Sequence, residues 1–162
     1  MTTLQPQRSR VELKAIFVLL LALVLAGGFA VAGQARTADS SPRHGSLHAT
    51  KTCAPPDFDG QAGSFCTIIG SNLRQIPPGS KVFYLEPAGA TGLDSDLVLY
   101  AGPGNVANGH VTLSFASLSG SVIFTGGTGQ FRDFRARVLV TFDEKENLWH
   151  WDGKYRFDPH DD

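Results

Sequence analysis

The chain predicts an all-β, antiparallel fold of the sandwich or barrel type, on three observations. After Cys53, short runs of strand-forming residues follow one another, and no window of ten or more positions repeats apolar residues at helical spacing. The runs are separated by IPPG, PAGATG, GPGNVANG and GGTG, all of them turn chemistry. Glycine occurs 18 times in 162 residues, above the usual share of roughly 7%, which fits many turns better than long helices.

Size and charge narrow the field further. A chain of 162 residues has room for one domain with a real core. Fourteen basic residues balance 15 acidic ones, and only 18% of residues are charged. That balance argues against a nucleic-acid partner or an acidic tail. Eleven Phe, two Trp and three Tyr supply core material that a disordered chain lacks.

The N-terminus, residues 1–35, reads as one hydrophobic helix. Arg8, Arg10 and Lys14 precede an uncharged run from Ala15 to Ala35, with Ala30-Val31-Ala32 as an A-x-A arrangement. These are the marks of a secretory signal peptide. A run of about 20 apolar residues also spans a bilayer if it is never cleaved, which leaves a single-span membrane anchor as the other reading. In either case the positive charge holds the N-terminus inside and sends the rest of the chain outward. The expected location is extracytoplasmic, secreted or anchored.

Residues 36–52 are polar and without periodicity, and read as a flexible tether. His44 and His48 stand four apart, a metal-binding spacing on a helix. Pro42 and Gly45 argue against a helix there, so no metal site is expected. The domain proper is then 53–162. Its two cysteines, Cys53 and Cys66, lie in the exported part with no third to compete. They predict a structural disulfide, the alternative being free thiols. Closing a loop of that size contributes about 3 kcal/mol in the chain-entropy picture.

Seven strands are read at 65–70, 80–86, 96–101, 109–117, 120–125, 133–143 and 148–157. The last two alternate most clearly. Phe134, Ala136, Val138, Val140 and Phe142 share one face, with Arg135, Arg137, Leu139 and Thr141 on the other. Trp149, Trp151, Gly153 and Tyr155 share a face opposite Leu148, His150, Asp152 and Lys154. In a small barrel either face can fill the lumen, and alternation alone leaves that choice open.

Polar groups on these strands are the candidates for chemistry. Arg135 and Arg137, on one face, can clamp a carboxylate, or simply stand solvated beside Asp133 and Asp143. His150 and Asp152 can orient a proton-transferring imidazole, or be exposed strand neighbours. Tyr84, with Tyr100 and Tyr155, can line a lumen, or be buried simply as packing. Glu86, Asp94 and Asp96 flank a Gly-rich loop without calcium-loop spacing, and His110 is expected on the surface at a strand start. No Ser-His-Asp order, HExxH, CxxC or Walker string occurs.

The most specific string is Gly126-Gly127-Thr128-Gly129-Gln130-Phe131-Arg132. Read from the residues, it is a structural hairpin turn: the glycines tolerate positive φ, Thr128 bonds locally, and Phe131 packs back. The string resembles the GGTGxF hairpin of plant dirigent proteins and of allene oxide cyclase barrels. Ser119–Thr125, Trp149–Tyr155, Asn72-Leu73 and Gly79–Val82 resemble bacterial members of that superfamily. The resemblance spans Cys66 to Phe157. It implies an eight-stranded antiparallel barrel with a ligand-sized interior, no cofactor, and homo-oligomers formed through barrel faces. Seven strands are read above, so the eighth is missing or lies before Cys66.

In those relatives one branch cyclises a fatty-acid epoxide and the other steers phenolic radical coupling. Beyond the hairpin, neither active site finds matching residues here. The expectation is therefore a non-catalytic, exported barrel that binds a small hydrophobic or phenolic ligand, or a protein partner. The alternatives are a cofactor-free cyclase or isomerase and a structural envelope protein. The content of the lumen separates them, since a ligand site needs roughly 300 Å³ with a few convergent polar groups.

Overall fold

The computed structural model describes residues 43–158 of the chain. The expected N-terminal segment 1–35 and residues 36–42 of the expected tether lie outside the described residues. Among those described, no helix is long and apolar enough to cross a membrane.

Eight strands form one closed barrel in sequence order: β1 His44–Thr52, β2 Phe65–Ser71, β3 Lys81–Tyr84, β4 Gly92–Tyr100, β5 Val106–Ser114, β6 Ser119–Thr128, β7 Phe134–Asp143 and β8 Leu148–Phe157. Every neighbouring pair is antiparallel, and β1 closes the barrel against β8. Each strand is joined directly to the next by a connection of 4 to 12 residues, and closure leaves no free sheet edge.

The missing eighth strand is β1, inside the stretch that reads as a tether. Thr50 and Lys51 pair with Gly70 and Ile68, and His44 through Lys51 pair in unbroken register with Arg156 through Trp149. The tether expectation for 44–52 is therefore corrected. Its composition misleads because Ser46, His48 and Thr50 face outward, while only Leu47 and Ala49 carry an apolar signal inward.

The structure also settles which face is inside. Phe134, Ala136, Val138 and Val140 of β7 are buried and Arg135, Arg137 and Leu139 exposed. Trp151, Phe124, Phe131, Phe134, Leu47, Ile68, Leu97 and Leu99 are each under 2% exposed, so side chains fill the lumen. Eight strands leave an interior just wide enough for that. Each large side chain so buried stabilises the barrel by roughly 1.5–3 kcal/mol.

The GGTG string is placed differently from a hairpin tip. Gly126, Gly127 and Thr128 belong to β6 and pair with Asn108, Ala107 and Val106. Thr125 is the extra residue of a bulge, since Asn108 pairs with Gly126 but Gly109 pairs with Phe124. Gly126 takes φ +128°, and a Cβ on Gly127 would fall 1.8 Å from the Val106 carbonyl oxygen. The chain turns one step later, in a short 3-10 segment Gly129–Phe131. Phe131 packs back as expected and is wholly buried. Thr128, expected to bond locally, donates instead to the Gly104 carbonyl of the neighbouring β4–β5 turn (2.9 Å).

Candidate functional site

Two arrangements stand out, one on the outer wall and one in the lumen. The outer one begins with strand register. Period-two alternation turns Arg135 and Arg137 of β7 outward together. On β8, Arg156 pairs with Arg135 and Lys154 with Arg137. Two rows result, Ile123–Arg137–Lys154–Ser46 and Arg135–Arg156–His44. They flank an open groove of about 690 Å³ between β6, β7, β8 and β1, to which Ile123 and Thr125 also contribute.

Like charges directly opposite each other on neighbouring strands are destabilising, and little here offsets them. Asp158 serves both upper guanidiniums: Arg156 Nε donates to Oδ1 (2.6 Å) and Arg135 Nε to Oδ2 (3.4 Å). The Arg156 bond, followed by that of Arg135, holds the Asp158 carboxyl below its ordinary value. In the other row Lys154 Nζ donates to Ser46 Oγ (2.8 Å), and no ion pair among the described residues engages Arg137. Ile123 is 43% exposed beside them. An exposed apolar side chain beside four cations that share one carboxylate, Asp158, suits an amphipathic anion.

The inner arrangement is one that sequence reasoning missed. Lys51 points into the lumen and is 4% exposed, between the rings of Tyr84 and Trp151, each 5.1 Å from Nζ. Its amine is hydrogen-bonded to the Tyr84 hydroxyl, which lies 3.5 Å from Cys66 Sγ. Among the described residues no carboxylate is buried. Burial alone pulls Lys51 down from 10.5 to about 7 and pushes the Tyr84 hydroxyl well up. Phe58, from the 53–64 connection, closes over Tyr84 edge-to-face at 5.6 Å. Cys53 and Cys66 are bonded to each other as a disulfide.

The remaining candidates are distributed otherwise. Tyr84 and Tyr155 are buried in the filled barrel, but Tyr100 is 38% exposed. His150 and Asp152 are not brought together. Asp152 accepts from His48 Nδ1 across the strand pair (2.6 Å), whereas His150 Nδ1 lies 3.3 Å from Thr50 Oγ1. His48, set aside in the supposed tether, is the imidazole that Asp152 orients. Asp143, Glu146 and His150 bring one donor atom each within 4.8 Å at the β7–β8 turn, a set of ligand types that a divalent ion can use. His110 is exposed but sits within β5 rather than at its start, with Nδ1 2.8 Å from Asp96 and Nε2 2.7 Å from Asp94. Both nitrogens then act as donors, and the Asp96 bond first, then that of Asp94, raises its pKa. Glu86 accepts the Asp96 backbone N–H (2.6 Å).

Lys154 and Arg156 were legible as outward strand residues, but their meeting with Arg135 and Arg137 depends on β7–β8 register. Lys51 left no signal beyond a period of two with Leu47 and Ala49. Comparison of the chain with protein-family models, with curated proteins and with solved structures gives no match.

Proposed function

We propose that this is an exported, non-catalytic binding barrel of the allene oxide cyclase and dirigent type, whose ligand is a small molecule with an apolar body and a carboxylate. The ligand lies on the outer wall, in the groove of Arg135, Arg137, Lys154 and Arg156, rather than in the lumen. The observation that carries the reading is the paired row of like charges with an exposed Ile123 beside it. A barrel selected for stability alone gains nothing from cations placed opposite one another. The filled lumen supports an outer site, because it leaves a ligand's apolar body no interior to occupy. Export is supported by the apolar N-terminal run and by the disulfide, which persists under oxidising conditions.

Titration of the full chain with a medium-chain fatty acid and with the corresponding alcohol tests this. A charge-assisted bond is worth about 1.5–3 kcal/mol, so the acid should bind at least about tenfold more tightly than the alcohol. Arg137→Ala with Lys154→Ala should abolish the preference. Equal binding of acid and alcohol, or binding unaffected by the double substitution, refutes the proposal. The cyclase or isomerase alternative has one observation in its favour, the buried Lys51–Tyr84 acid–base pair.

A further inference from the structure

The Cys53–Cys66 disulfide is built asymmetrically. Cys66 lies on β2, faces the lumen and is 1% exposed. Cys53 lies just past the end of β1, partly exposed. Of the two cysteines Cys53 is the more accessible, so a nucleophile from solvent approaches the bridge from its side. Behind Cys66 stands the Tyr84 hydroxyl, 3.5 Å from its sulfur, and behind that the Lys51 amine. Lys51 is a buried cation-forming group with no anion beside it among the described residues. The sulfur of Cys66 is the nearby buried group that becomes an anion when a bond breaks.

We propose that the Cys53–Cys66 bridge is a thiol-exchange site, opened by a thiol at Cys53 with Cys66 departing as a thiolate toward Tyr84 and Lys51. The incoming thiolate forms a new S–S bond with Cys53, and the Cys53–Cys66 bond breaks with its electron pair moving to Cys66. The Tyr84 hydroxyl donates to that sulfur while the Lys51 ammonium donates to the Tyr84 oxygen. A second thiolate of a dithiol reagent then attacks the mixed disulfide and releases Cys53. The dithiol is oxidised by two electrons and the two cysteines are reduced. Exchange is faster when the leaving thiol has a lower pKa, and a neighbouring cation lowers it. Burial leaves Lys51 partly neutral near pH 7, and the new anion draws the proton back to it.

The experiment uses the full chain, folded, at one fixed pH, with glutathione as the probe. Free thiols are blocked at intervals and the adducts mapped by peptide mass. The adduct should appear on Cys53 with Cys66 free, and both Lys51→Met and Tyr84→Phe should slow its formation by about tenfold. The two variants guard against a stability artefact. Tyr84→Phe strips the buried lysine of its partner and loosens the fold, so exchange limited by opening of the fold would become faster in it. Reduction of all three proteins in urea should proceed at one rate. An adduct on Cys66, a Tyr84→Phe rate equal to or above that of the native chain, or a bridge inert to glutathione in the folded state overturns the proposal.

Discussion

Replacing Lys51 by Met should change not only the stability of the barrel but the sign of the change with pH. The folded chain holds Lys51 near 7 against an ordinary 10.5. Between those values the unfolded chain binds a proton that the folded chain lacks, so native stability rises with pH across that window. Below pH 7 both states are protonated and the full cost of the buried ammonium applies. The difference of 10.5 and about 7, at 1.36 kcal/mol per unit, puts that cost at about 5 kcal/mol. At pH 10 less than about 1 kcal/mol of it remains. Above pH 10 the raised Tyr84 works in the opposite direction, since the unfolded phenol releases its proton first. The combined contribution of Lys51 and Tyr84 should thus be most favourable near pH 10.

Lys51→Met removes the ammonium but leaves the Tyr84 hydroxyl without its amine partner, a loss of about 1–3 kcal/mol. At pH 6 the variant should therefore be more stable than the native chain by about 2–4 kcal/mol. At pH 10 it should be equal or less stable. Urea unfolding followed by the fluorescence of Trp149 and Trp151, with the disulfide intact, measures this at pH 6, 8 and 10. Parallel stability–pH curves for the two proteins, or a variant weaker at pH 6, would show that Lys51 is hydrated or paired in a way that contradicts the lumen described above.

Gly127→Ala places a Cβ 1.8 Å from the Val106 carbonyl and should cost about 3 kcal/mol, the upper end for overpacking, read by the same urea titration. His110 should titrate above the ordinary histidine value of 6.5, because Asp96 and then Asp94 favour the imidazolium. Its small contribution to stability is complete below pH 6.5 and fades as pH rises through the raised value. Imidazole proton resonances in Asp96→Asn should show the midpoint moving back down. Asp158→Asn frees Arg135 and Arg156 of their shared counter-charge. Affinity for a fatty acid should rise several-fold at low salt and much less at high salt, as calorimetry can show.

The parts of the fold that were legible are those where alternation runs unbroken. Strands β7 and β8 were read at 133–143 and 148–157 and lie at Phe134–Asp143 and Leu148–Phe157, because every second residue is apolar or small. Strand β5 begins at Val106 rather than 109, since glycines and asparagines on both sides disguise a Val-Ala pair as loop. The same effect shortens β6, whose Gly126-Gly127-Thr128 end is strand because close backbone approach demands glycine there. The disulfide was legible from the expected compartment and the count of two cysteines. Arg135 and Arg137 were legible as a pair, being two apart on one strand. Their joining with Lys154 and Arg156 was not, because it is fixed by register between strands. Lys51 ran against the rule that lysine seeks water, and the strand that carries it was read as tether because of its outward Ser, His and Thr residues.

The outer cations and the inner lysine both cost stability, but by different physics, and that difference separates function from accident. The outer rows are exposed, so their repulsion is a fraction of a kcal/mol per pair and is screened within about 10 Å at 0.1 M salt. The lysine suffers desolvation, which salt hardly touches and deprotonation removes. Of these two costs, raising ionic strength at pH 6 should therefore relieve that of the groove, and raising pH at constant salt that of the lumen. An anion that fills the groove does what salt does, only specifically: it stabilises the barrel in proportion to its affinity and leaves the Lys51-dependent slope against pH unchanged. An anion whose stabilising effect disappears in Lys51→Met, yet survives Arg137→Ala with Lys154→Ala, would instead be acting at the lumen. That result would return the binding site to the inside of the barrel.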